Sequence, residues 1–221
     1  MTRKLVAILG LTTALGACGP MTTLETAGLP AWTGGSGERD GRPAIVARGV
    51  ALEPHAKVLR SELGNRRVRD LMDGGTVVLE MSASGSRLRL VEADGCRSTR
   101  LLDWFSPSLA WADCGNSKHW HTAEARVGIE ASLYPLRPGA TGRYRRSAVS
   151  HTGRKSERVT DCRVTDAVTV DLGARVADAF EVVCDDGRIE RTTWYAPGEG
   201  PVAYREAHRE RGLREAWVLT D

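Results

Sequence analysis

The chain has 221 residues, of which 31 are lysine or arginine and 28 are aspartate or glutamate, giving a formal net charge of +3. So small an excess of positive charge provides no electrostatic footprint for nucleic acid, and we expect no nucleic-acid partner. About 200 residues remain once the first segment is set aside, which is enough to bury a core as one domain or two small ones.

The first 17 residues have the pattern of an export signal. Arg3 and Lys4 precede an apolar run over residues 5–14, which is too short to cross a hydrocarbon core that needs roughly 20 residues. The run leads into LGAC, which ends at Cys18 and resembles the lipobox of bacterial lipoproteins. The resemblance predicts a signal peptide over residues 1–17 and lipidation of Cys18. The alternative is an ordinary secretory signal with a chance cysteine.

A lipidated Cys18 would attach the protein to a membrane. Several acyl chains hold far better than one, because a single chain gives only marginal binding. Gly19 stands where enteric lipoproteins of the inner membrane carry an aspartate, so the resemblance implies the periplasmic face of the outer membrane. Residues 18–42 are rich in glycine, threonine and proline, which predicts a flexible tether.

Four cysteines follow Cys18, and an even number in an exported chain favours disulfides. Of the three ways to pair them, we favour Cys96–Cys114 and Cys162–Cys184, because each local loop runs out and back through strand-like sequence. Each bond should contribute on the order of 3 kcal/mol to stability. A metal site of four thiolates is the alternative, but the sequence contains no C-x-x-C spacing.

One or two short helices are predicted near residues 54–72. Pro54 suits a first helical turn, Leu59 and Leu63 share a face, and Gly64 is a suitable cap. A second short helix is predicted over residues 65–72, with a strand as the alternative.

From Thr76 onward the hydrophobic period changes to two, as in TVVLEMS and RLRLVE. After the proline- and glycine-rich residues 133–142, short strands alternate with turn signals to the end of the chain. The sequence therefore predicts a mainly β fold, an antiparallel meander or half-barrel-like sheet with one buried face. We expect an N-terminal α+β part over residues 43–133 and a C-terminal β module over 134–221.

The C-terminal module resembles one that is common in exported proteobacterial proteins. The segments CRVTDAVTVDLG, AFEVVC and TTWYAPGEGPVAY match its pattern C-x-V…WYAPGxGPV over about residues 133–219. Its members are mostly uncharacterised envelope lipoproteins. A more distant, topological similarity is to the half-barrels of the periplasmic lipoprotein carrier and its outer-membrane receptor. This chain lacks the apolar hook of those proteins, so lipoprotein transfer is not implied.

Six aromatic residues are candidate ligand contacts: Trp104, Phe105, Trp111, Trp120, Trp194 and Tyr195. The first four lie within seventeen residues and either line an apolar or carbohydrate pocket by stacking or plug the end of a β core. The last two precede a rigid Pro-Gly turn and form either a ligand lip or a packed hairpin tip.

His119 and His121 are weak candidates for zinc, since two imidazoles at this spacing share one side of a strand but need a third ligand. The alternative is a pair of solvated or hydrogen-bonded histidines. The sequence contains no nucleophile motif, no cofactor fingerprint and no calcium loop. We therefore expect no cofactor, no resident metal and no enzymatic activity.

Three functional hypotheses follow. The first is a binding module that holds an apolar or glycan-like envelope ligand, a lipid or a glycan, on the concave face of the sheet. The second is a structural or assembly accessory that contacts another envelope protein. The third, a hydrolase, would need a catalytic cluster assembled from distant parts of the chain.

Overall fold

The computed structural model describes residues 40–92, 95–115 and 117–220. The predicted signal peptide, the lipidation site at Cys18 and most of the predicted tether lie outside these residues. Thirteen strands are described: β1 (Ile45–Arg48), β2 (Gly64–Asp70), β3 (Thr76–Ser84), β4 (Arg87–Val91), β5 (Arg97–Leu101), β6 (Ala110–Ala112), β7 (Ala123–Ala131), β8 (Thr141–Ser150), β9 (Lys155–Asp171), β10 (Val176–Asp185), β11 (Ile189–Ala196), β12 (Gly200–His208) and β13 (Gly212–Leu219).

Strands β2 to β13 form an antiparallel sheet that closes on itself. Each strand pairs with the next along the chain, and β13 returns to pair with β2 through Trp217↔Asp70 and Leu219↔Val68. Strand β1 lies outside this ring and pairs with the second half of β9. The mainly β antiparallel fold predicted from the sequence is confirmed, and the meander continues far enough round to close. The predicted boundary after residue 133 falls between β7 and β8, which pair with each other.

The helices predicted near residues 54–72 are wrong. The described structure has a single 3₁₀ turn there, Arg60–Glu62, and the next residues form β2. A short isolated helix is marginal in water. As a strand, the same segment pairs on one side with β3 and on the other with β13, which buries Val68 completely. These pairings between distant parts of the chain outweigh the weak helical pattern.

Two apolar clusters stabilise the ring. The plug consists of Leu88, Phe105, Leu133, Leu136, Tyr144, Phe180, Tyr195 and their neighbours, all buried. It lies toward the end of the ring that carries the connections 102–109, 132–140 and 197–199. A second cluster includes Val168, Ala179, Trp194 and Ala203. Because successive residues of a strand point to opposite faces, Trp194 packs on the face opposite to that of Tyr195.

Two buried acids connect the plug to neighbouring segments. The carboxyl group of Glu62 accepts hydrogen bonds from Tyr195 Oη at 2.5 Å, Leu59 N at 2.6 Å and Gly198 N at 2.8 Å. Asp103 accepts hydrogen bonds from Tyr144 Oη at 2.8 Å and from the Phe105 amide at 2.9 Å. No helix within the described ranges is long and apolar enough to cross a membrane.

Candidate functional site

A cavity of about 1260 Å³ occupies the interior of the ring beyond the plug. Alternate side chains of most ring strands point into it, for example Arg191 and Thr193 of β11 and Tyr204 and Glu206 of β12. The mouth of the cavity is the end of the ring that carries the turns 151–154, 186–188 and 209–211. Exposed residues of these turns also line the cavity, which therefore reaches solvent there.

Positive charge is concentrated in this cavity. Among the described residues, nine basic and five acidic side chains line it, whereas the whole chain has 31 basic and 28 acidic side chains. The basic residues are Arg100, Arg146, Arg154, Lys155, Arg158, Arg188, Arg191, Arg211 and Arg214. A cavity wall of this composition attracts an anionic group.

Part of this charge is balanced by Glu206. Its carboxylate accepts hydrogen bonds from Arg191 Nε at 2.8 Å, Arg214 Nη1 at 2.7 Å and Tyr204 Oη at 3.1 Å. Burial raises the pKa of Glu206, but the guanidinium groups of Arg191 and Arg214 and these hydrogen bonds more than offset it, so the pKa lies below its usual value. Glu206 is therefore ionised at neutral pH and compensates the two arginines beside it.

Indole rings and guanidinium groups pack together in the wall. Trp111 stacks on Trp120 with ring centroids 6.3 Å apart, and its Nε1 donates to the Trp120 carbonyl at 2.7 Å. The guanidinium of Arg146 lies 5.2 Å from the Trp111 ring centroid, and that of Arg100 lies 5.6 Å from the Trp104 centroid. Both distances are within cation–π range, so the rings orient these charges along the wall.

The structure separates the six aromatic candidates into two groups. Trp104, Phe105, Trp111 and Trp120 all line the cavity, and the first two also belong to the plug. Trp194 and Tyr195 lie elsewhere and are completely or almost completely buried. Trp194 Nε1 donates to Glu181 at 3.2 Å on the opposite face of the sheet, and Tyr195 donates to Glu62 in the plug.

The four cysteines of the folded part form two disulfides, Cys96–Cys114 and Cys162–Cys184. The first connects the two ends of the segment that carries Trp104 and Trp111, and the second joins β9 to β10 at directly opposed positions. Cys96, Cys114 and Cys184 lie in the cavity wall. Both bonds therefore hold strands that shape the cavity.

The weak zinc candidates do not converge with a third ligand. His119 Nδ1 lies 3.3 Å from Thr152 Oγ1, and the His121 ring centroid lies 4.1 Å from that of His151. Within the described part of the chain, no group of three or more histidine, cysteine or acidic side chains could hold a metal ion. His151 was not singled out from the sequence, because thirty residues separate it from His121.

The cavity arginines and Glu206 were also missed from the sequence. They occupy alternate strand positions, as in RYRRSAVS and RIERTTWY, which are typical of a solvated face of a sheet. The alternation of these residues with apolar ones indicates a strand, but it does not determine which face of the strand points into the closed sheet.

Comparison with known proteins finds distant structural likenesses. No protein-family model matches the chain, and no curated protein matches it significantly. The hypothetical lipoprotein YmcC from Escherichia coli (K12) has a TM-score of 0.40 and 8% identity, over 74% of this chain and 89% of that one. A protein of Bacteroides fragilis NCTC 9343, described as exported and of YmcC-like fold, has a TM-score of 0.35 and 12% identity, over 76% and 98%.

Proposed function

We propose that the protein is a lipid-anchored envelope protein that binds a glycan-like ligand inside its closed sheet. The observation that carries the proposal is the cavity of about 1260 Å³ with four tryptophans in its wall, Trp104, Trp111, Trp120 and Trp217. Ligand pockets for small molecules typically measure about 300–1,000 Å³, so this cavity has room for more than one sugar ring. Indole rings supply large apolar faces on which the C–H faces of sugars can stack.

The rest of the lining favours a glycan over an apolar ligand. Hydroxyl groups of Ser98, Thr160 and Thr193 lie among the rings and charges of the wall. An acyl chain would leave these groups without partners, at a cost of about 1–3 kcal/mol for each buried group. Sugar hydroxyls would satisfy them instead.

Two polar atoms of the wall are buried without a hydrogen-bond partner in the described part of the chain. Ser98 Oγ and Arg100 Nε have no hydrogen-bond partner among the described residues. Both residues lie on β5 and line the cavity. Since buried donors and acceptors are normally paired, these two mark a part of the wall that lacks its full set of hydrogen bonds.

The proposed compartment rests on separate observations. The LGAC pattern supports lipidation at Cys18, and Gly19 supports the periplasmic face of the outer membrane. Two disulfides in the folded part suit an oxidising compartment. A periplasmic position would bring the mouth of the cavity into contact with envelope glycans.

Native mass spectrometry of protein extracted from membranes in mild detergent tests the proposal. We expect a co-purifying saccharide mass, whose retention falls in Trp111→Ala and Trp120→Ala variants. Ile129→Ala, an exposed apolar truncation outside the cavity, serves as the control and should retain the ligand. A mass equal to that of the polypeptide and its acyl groups alone, together with no binding in a saccharide screen followed by tryptophan fluorescence, would overturn it.

A further inference from the structure

We infer that the ligand carries a phosphate or carboxylate group and that Arg146 and Arg158 bind this anion at one wall of the cavity. The inference rests on the proposed function, because it assigns a chemical class to the ligand of the same cavity.

Arg146 of β8 and Arg158 of β9 are directly opposed cross-strand partners. Both side chains point into the cavity. Like charges directly opposite each other on adjacent strands destabilise a sheet. The pair is therefore a cost to the folded chain that calls for compensation by an opposite charge.

The described residues supply only part of that compensation. Neither guanidinium group forms an ion pair or a hydrogen bond with another described side chain, whereas Arg191 of β11 and Arg214 near the start of β13 share Glu206. Arg146 and Arg158 are only partly accessible to solvent. Burial, followed by the positive charge of Arg191, lowers the pKa of Arg146 to about 10. The site thus holds a guanidinium in surroundings that disfavour its charge.

The nearest acid is already engaged. Asp186 interacts electrostatically with Arg146 and Arg158. Its Oδ1 accepts the backbone N–H groups of Arg188 at 3.0 Å and Ile189 at 2.9 Å, and its Oδ2 lies 4.0 Å from Arg191 Nη1. One carboxylate is therefore shared among three guanidinium groups, and an excess of positive charge remains for a ligand.

The geometry suits an oxyanion attached to a ring. Two guanidinium forks from adjacent strands can donate several hydrogen bonds to the oxygens of a phosphate or a carboxylate. Arg146 also lies over Trp111, which stacks on Trp120, so an indole platform adjoins the charged pair. We therefore assign the ligand to the acidic saccharides, such as sugar phosphates or uronates. A free acidic sugar and the headgroup of an anionic lipid share this chemistry.

Isothermal titration calorimetry with defined probes tests the anion site. Wild-type protein is titrated with glucose 1-phosphate, glucuronate and uncharged methyl glucoside, and with dihexanoyl phosphatidic acid below its micellar concentration. We expect the charged sugars to bind at least about 10-fold more tightly than methyl glucoside. Tighter binding of the acylated phosphate than of the sugar phosphate would instead identify a lipid headgroup as the source of the same anion.

Variants assign the binding to the two residues. Arg146→Met and Arg158→Met should each weaken binding of glucose 1-phosphate by about 10-fold, with no effect on methyl glucoside. Arg163→Met removes the same charge from an exposed position of β9 outside the cavity and should bind like the wild type. Equal affinities for charged and uncharged sugars, or unchanged affinity in both cavity variants, would overturn the inference.

A second measurement does not depend on identifying the ligand. Replacing Arg158 by methionine should raise the urea midpoint of the ligand-free protein, because its like-charge repulsion with Arg146 is relieved. A purely structural arginine would lower it, and that result would contradict the anion site. Sugar binding with no preference for charged over uncharged probes would refute this inference alone and leave the proposed function standing. Binding of none of the four probes, together with no co-purifying saccharide, would refute the proposed function as well.

Discussion

Replacing Glu62 should destabilise the ring more than replacing any exposed acid. Glu62 is 1% exposed, and its carboxyl group accepts hydrogen bonds from Tyr195 Oη, Leu59 N and Gly198 N. These donors belong to three segments, namely the connection before β2, strand β11 and the turn between β11 and β12. A single side chain thus joins the segment before β2 to the far side of the sheet.

The magnitude follows from the donors that a Glu62→Ala variant leaves behind. Each buried donor without a partner costs about 1–3 kcal/mol, so three donors give a loss of at least about 3 kcal/mol. Domains of this size are typically stable by about 5–15 kcal/mol, so the variant should still fold, with a much lower free energy of unfolding. Glu62→Gln keeps the size of the side chain and one acceptor oxygen. Its free energy of unfolding should therefore lie between those of the wild type and Glu62→Ala.

Urea unfolding followed by tryptophan fluorescence measures this loss, since Trp104 and Trp194 are buried in the two apolar clusters. Glu130→Ala is the matched control, because Glu130 is a solvent-exposed acid paired with Arg143 and Arg145. Exposed ion pairs contribute little, so this control should barely move the midpoint. If Glu62→Ala lost no more stability than Glu130→Ala, the assignment of Glu62 as a buried connector would be wrong.

Three further predictions concern disulfides and pH. Replacing Cys162 and Cys184 together by alanine should cost on the order of 3 kcal/mol in the same urea assay, and an unchanged midpoint would contradict a stabilising bond. Burial raises the pKa of Asp103, so its carboxyl group holds a proton more tightly in the native state than in the unfolded state. The free energy of unfolding therefore falls as pH rises from the unfolded-state pKa to the native-state pKa. Asp103→Asn should therefore be more destabilising near about pH 3 than near about pH 7. A difference between the wild-type and variant urea midpoints that stays constant with pH would show that the pKa of Asp103 is not raised. The pKa of Glu206 is lowered overall. The contribution of this carboxylate to folding stability is therefore complete above the usual pKa of glutamate and is lost as pH falls through the native-state pKa. In Glu206→Gln the urea midpoint should fall less as pH is lowered than it does in the wild type. An equal fall in both proteins would argue that Glu206 does not compensate the charge of Arg191.

Local sequence was sufficient for most of the strands. The alternation in RLRLVE and AFEVVC and the glycine-containing turns between strands are local signals, and the structure has strands β4 and β10 at these positions. Residues 64–70 are the exception. Their sequence suits a short helix nearly as well as a strand, and the pairing of β2 with both β3 and β13 decided between them.

The cavity depended on tertiary structure. The sequence identified Trp104, Phe105, Trp111 and Trp120 as candidate ligand contacts because aromatic residues concentrate there, and all four line the cavity. It did not identify Arg146, because its strand alternates between two faces and the pattern is the same whichever face points inward. Only the pairing of β13 with β2 closes the sheet and gives it an inside, so this long-range contact decides which arginines meet a ligand and which meet solvent.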